Sequence, residues 1–109
     1  MDKKTELTTT RAIVKSILEQ DKRARNSDSY LYLKVLDAID AEKKIGIHSI
    51  PLGQFLLRMS ELGFPPFETV RRARQLIQRK YPELEACEEV QSFRAENEAV
   101  HKAFARGAV

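Results

Sequence analysis

The chain has 109 residues and a single cysteine, Cys87, which limits it to one ordinary hydrophobic core and excludes an internal disulfide. Hydrophobic residues make up 42%, enough to fold, so wholesale disorder is excluded. A net charge of +3 is too small for a generic polycation, so the choice of partner depends on where the charge sits.

Charged residues are abundant at 32%, and Glu, Lys, Arg, Leu and Ala outweigh Gly, Pro and strand-like alternation. This favours an all-α fold, a compact bundle of four to five helices with a long C-terminal helix. No apolar run approaches the length of a bilayer span, and the start MDKKTELTTT lacks the apolar core of a signal peptide. With one lone cysteine, the expectation is a protein of a reducing cytoplasm, without a membrane partner.

Residues Met1 to Leu7 read as a polar tail. Thr8, Thr9 or Thr10 can cap a first helix, because a threonine oxygen accepts from free amides of the first turn. Ile13, Val14, Ile17 and Leu18 then form one apolar stripe, and the helix is expected to end near Arg23. Asp21 to Ser27 is polar and turn-prone. Its three basic residues fit either phosphate contacts or a solvated loop. Ser27 or Asp28 opens a second helix through about Lys43, with Leu33, Leu36 and Ile39 inward beside Tyr32 and Val35. Tyr30 and Tyr32 read as core or rim residues.

Ile45-Gly46-Ile47 is either a short strand or a glycine-stopped helix end, and His48 after it reads as a loop or cap residue. Ser49 is placed to cap a third helix, with Pro51 in its first turn and Leu52, Phe55, Leu56 and Met59 on its apolar face. Gly63 sits where a left-handed stop belongs, with Phe64 positioned to fold back. Pro65 and Pro66 fix the direction of the next segment.

That segment, from about Pro66 to Lys80, is a fourth helix ended by Pro82. At about 100° per residue, Val70, Ala73, Leu76, Ile77 and Tyr81 share the apolar side. Arg71, Arg72, Gln75, Gln78 and Arg79 point the other way, and Arg74 and Lys80 flank the stripe. Five basic residues face one acid, Glu68. From about 85 to 106 one amphipathic helix carries Val90, Phe93, Val100 and Phe104, with Asn97 in the seam. Such a stripe fits packing on its own domain or pairing with a second copy.

No enzyme constellation is present. His48 and His101 are the only histidines, and neither lies in a motif naming a nucleophile or an orienting acid. Cys87 lies among glutamates, a poor setting for a nucleophile. No glycine-rich phosphate loop or metal-ligand spacing occurs, so no cofactor or metal is implied.

The basic helix is the feature above background. As the second of two corner-linked helices it fits a helix-turn-helix over about 49–82, within a single domain covering 1–109. In that geometry Glu68, Thr69, Arg71, Arg72 and Gln75 reach the major groove of double-stranded DNA, where Arg can pair with guanine and Gln with adenine. Arg74, Gln78, Arg79 and Lys80 lie nearer phosphates.

The stretch FPPFETVRRARQLIQRKYPEL, preceded by SIPLGQFLLRMSELG, resembles the helix-turn-helix segment of small proteins encoded by phages and prophages of Gram-positive bacteria. NSDSYLYLK, Asn26 to Lys34, is similar to the start of that domain. The resemblance covers about Asn26 to Leu84 and implies a DNA-binding, regulatory phage protein. It departs from a winged helix, because a further helix follows where a β-hairpin wing belongs. The competing reading is a small phage-encoded inhibitor of a host protein, such as a CRISPR nuclease. The acidic stretch from Glu83 to Glu98 favours it, since DNA binding gives that stretch no role.

Overall fold

The computed structural model describes residues 3–105, with side chains described from 9 to 100. The described residues are helical, with no strand among them: α1 (Lys3–Gln20), α2 (Lys22–Asn26), α3 (Asp28–Lys43), α4 (Leu52–Arg58), α5 (Phe67–Lys80) and α6 (Glu88–Ala105). Short 3-10 turns at Ile47–Ser49 and Pro82–Leu84 precede α4 and α6. None of the helices is long and apolar enough to cross a membrane.

α1 begins at Lys3, ahead of the threonines expected to cap it. Thr10 is buried, so packing of the helix face outweighs the modest propensity of the threonine run. The predicted stripe is the one observed, with Val14 and Leu18 fully enclosed and Ile13 and Ile17 against the same core.

The polar run after α1 is not a loop but the short helix α2. Asp21 has extended backbone and caps α2, accepting from the Arg23 amide at 3.0 Å. Its other oxygen accepts from the Tyr30 hydroxyl at 2.6 Å, which holds the carboxyl below its ordinary pKa. Arg25 reaches back to donate to the Leu18 carbonyl at 2.6 Å. A cation thereby satisfies free carbonyls at the end of α1. Arg23 lies over the Tyr30 ring.

α3 starts where the sequence places it. Ser27 accepts from the Tyr30 amide, and the helix stops at Lys44 in the left-handed region with φ 55°. The buried face, however, is Leu31, Val35, Leu36 and Ile39, while Leu33 is exposed. The expected face was offset by about half a turn at its N-terminal end. Beyond α3, Gly46 is also left-handed, and the Asp40 carboxylate accepts from the Gly46 amide at 2.9 Å and the Ile47 amide at 3.3 Å. The segment is therefore a helix stop followed by a 3-10 turn, not a strand. Ser49 ends that turn instead of capping α4, and Pro51 stands at the N-cap.

Gly63, at φ 86°, turns the chain out of α4. The Phe64 amide then bonds the Met59 carbonyl at 2.9 Å, and the Phe64 ring meets Phe55 edge-on at 5.3 Å. Tyr32 pins the proline corner by donating to the Pro65 carbonyl at 2.8 Å and meeting Phe67 edge-on. The corner from Met59 to Pro66 is longer than the 3–4-residue turn typical of about every helix-turn-helix.

α5 lies at the centre, packed against α1 and α3. Val70, Ala73 and Ile77 are buried as predicted, but so are Arg74 and Gln78, while Leu76 is 45% exposed. Arg74 grips Asp28 of α3 with two bonds, at 2.8 and 3.1 Å, and bonds Gln78 at 3.3 Å. Gln78 donates to the carbonyls of Arg25 and Leu84 at 3.2 and 3.0 Å. Removing one partner of a buried ion pair leaves the other uncompensated. Arg74→Ala should lower the unfolding free energy by about 3 kcal/mol in urea titration, whereas exposed Arg72→Ala should change it by less than about 0.5 kcal/mol.

Candidate nucleic-acid interface

The buried network decides which polar side chains of α5 face outward. Arg74 and Gln78, both expected at phosphates, are spent inside the protein and drop out of the interface. The remaining candidates share the opposite side. Arg72, Arg79 and Lys80 are exposed, and Thr69, Arg71 and Gln75 are half-buried.

Glu68 organises the first turn. Its carboxylate accepts two bonds from Arg71, at 2.9 and 2.6 Å, and one from Arg72 at 3.2 Å. The Arg71 hydrogen bonds, more than any other cause, pull the Glu68 pKa down from 4.5 to about 2. The same pairing raises Arg71, with a smaller contribution from Glu98 on α6. Arg72 donates to Glu68 only through Nε, so its terminal nitrogens remain available for a ligand.

Two recesses border this face. On one side α5 and α6 enclose an open cleft of about 490 Å³. Arg71, Gln75 and Arg79 line it from α5, and Arg94, Asn97 and Glu98 line it from α6. Arg94 sits 3.6 Å from Asp28 and bonds the Arg25 carbonyl at 3.3 Å. Burial and the neighbouring Arg74 lower its pKa. On the other side α1 and α5 form a smaller notch of about 230 Å³, where Arg11, Lys15 and Lys80 surround Tyr81.

Among the described side chains, α6 is tied down near its start. The Cys87 amide bonds the Asn26 side chain at 2.8 Å, and Arg94 reaches Asp28 and Arg25. Asn97 faces the cleft instead of a buried seam, and the apolar stripe is not folded onto the domain, since Phe93 and Val100 are 62% and 53% exposed. Phe104 and His101 lie outside the described side chains. The other histidine, His48, pairs with Asp37 at 2.7 Å on the surface. No group of three or more His, Cys, Asp or Glu side chains among the described residues could hold a metal.

Sequence reasoning missed Arg11 and Lys15, which α1 brings beside the basic helix. Their spacing puts both on one side of α1, but only the α1–α5 packing places that side next to Lys80.

Glu68 gives the face a pH signature. Its pKa is depressed on folding, so its stabilising contribution is complete above its unfolded value of 4.5 and is lost as pH falls through about 2. In thermal melts, wild type should exceed Glu68→Gln at pH 5, and the difference should shrink on the way to pH 2.

No family model matches the chain, and neither a curated protein nor a solved structure matches it, so the chemistry of this face carries the functional reading.

Proposed function

We propose that the chain is a DNA-binding protein, of the regulatory phage or prophage kind its sequence resembles, and that it meets duplex DNA with the exposed side of α5. The observation that carries this reading is the segregation of charge. Arg71, Arg72 and Arg79 share one accessible side with Gln75, Lys80 stands at its α1 edge, and Glu68 is the only acid on the helix. A helix of this kind supplies both phosphate neutralisation and side chains suited to base edges. Arg72 and Gln75, with Arg71 behind them, are the base-reading candidates, and Arg79 and Lys80 reach phosphates. The long corner before α5 departs from a standard helix-turn-helix.

Binding to random duplex DNA, followed by fluorescence anisotropy, should weaken steeply with salt. The double variant Arg71→Ala/Arg72→Ala should bind at least about tenfold more weakly, with a shallower salt slope and an unchanged helical CD signal. Wild-type affinity in that variant would exclude this face.

A second reading rests on a different observation. Leu52, Leu56 and Leu57 of α4 are exposed, as are Phe93 and Val100 of α6. Apolar surface of this kind suits a protein partner: a host enzyme such as a CRISPR nuclease, held by an inhibitor, or a second copy of the chain. Phe93→Ser/Val100→Ser should release a stoichiometric host partner that survives nuclease treatment in a pull-down if this reading holds. A lower mass by light scattering in the variant would identify the occupant as a second copy.

A further inference from the structure

The notch between α1 and α5 has a composition that core packing does not require. Lys15 of α1 holds its ammonium 4.5 Å from the centre of the Tyr81 ring, and Lys80 of α5 holds its own 5.6 Å from the same centre. Arg11, one turn earlier on α1, lines the same recess, with Leu76 at its wall. No acid is among the residues lining it. The nearest carboxylate to Lys15 in an ion pair among the described residues is Glu19, at 3.9 Å on the exposed side of α1, a contact of little energetic weight.

Two ammonium groups drawn to one aromatic ring repel each other. The ring's quadrupole attracts each of them but neutralises neither. An anion between them removes the repulsion and leaves the cation–π contacts in place. The ring also holds the lysine side chains in position before the anion arrives, which reduces the ordering cost of binding.

We infer that this notch seats a backbone phosphate of DNA, with Arg11, Lys15 and Lys80 as its cationic contacts and Tyr81 as the platform that positions them. The inference rests on the DNA reading above and adds α1 as a second wall of the interface. It also sets a direction. On the α6 side of α5 the acids Asp28, Glu85 and Glu98 offset the arginines that line the cleft, whereas on the α1 side the cations continue from Lys80 to Lys15 and Arg11 with no acid among the lining residues. The duplex therefore lies across α5 towards α1.

The test compares wild type, Lys15→Gln/Lys80→Gln, Arg11→Gln and Lys15→Arg/Lys80→Arg on one random duplex over a range of salt concentrations, with CD and melting to verify folding. If the notch holds a phosphate, the glutamine pair lowers the magnitude of the log K against log salt slope by about 1 and weakens binding at low salt. The arginine pair restores the slope. Arg11→Gln, an exposed position lining the same notch, moves affinity in the same direction and serves if the lysine pair perturbs folding. Salt-dependent wild-type binding that is lost in Arg71→Ala/Arg72→Ala but unchanged in the notch variants overturns this inference alone. Absence of wild-type binding overturns it together with the DNA reading.

Discussion

The grip of Arg74 on Asp28 fixes the rotation of α5, and the rest of the arrangement depends on that rotation. A guanidinium with two parallel bonds to a carboxylate is held in both distance and plane. Arg74 is enclosed and its partner largely so, and Gln78 one turn on extends the contact to the carbonyls of Arg25 and Leu84. Four segments thus meet at one buried polar node: α5, the start of α3, the end of α2 and the turn before α6. All buried side-chain nitrogens and oxygens among the described residues have partners, so the node is fully satisfied. Such a node costs desolvation that an apolar pair would avoid. What it supplies is a single rotational setting for a helix whose apolar stripe is narrow.

That setting determines the surface. With Arg74 and Gln78 turned inward, Leu76 is left half-exposed on the other side, and the outward cations are Arg71, Arg72, Arg79 and Lys80. Glu68 then arranges the first turn, and its hold on Arg71 is stronger than its hold on Arg72. Two neighbouring arginines differ in availability for this reason, although they are indistinguishable by type.

The sequence made local events legible and left the long-range ones hidden. The Ser27 cap, the Gly63 stop with Phe64 folding back, and the proline limits of α5 follow from backbone chemistry within a few residues, and they are present as expected. The stripe of α1 was legible because its apolar residues have no polar competitors. The facing of α5 was not, because an arginine was assumed to be outside, and its partner Asp28 lies 46 positions away. The short helix α2 was hidden for a similar reason. Its polar residues look like a loop until Arg25 is seen to cap α1 and Asp21 to cap the next turn. In α3, Leu33 and Leu31 are equally apolar, and only contact with the neighbouring helices selects Leu31. In the candidate site, the exposed basic residues of α5 could be read from the sequence, but the contribution of α1 could not, since it exists only through packing.

The charge around α5 is distributed unevenly, and this asymmetry bears on both functional readings. α6 presents Glu98 to the cleft beside Arg71, and Glu85 lies at its base. α1 presents Arg11 and Lys15 on the far side. The α6 side thus mixes both signs of charge, whereas the α1 side carries cations alone. The exposed Phe93 and Val100 are on α6, away from the basic face. The proposed DNA face on α5 and α1 and the exposed apolar residues of α6 therefore do not share side chains. Under the proposed DNA reading, the acidic helix has an electrostatic role beside the basic face. Its Glu98 offsets cations along one edge of the basic face, whereas no acid lines the edge that leads to Lys80, Lys15 and Arg11.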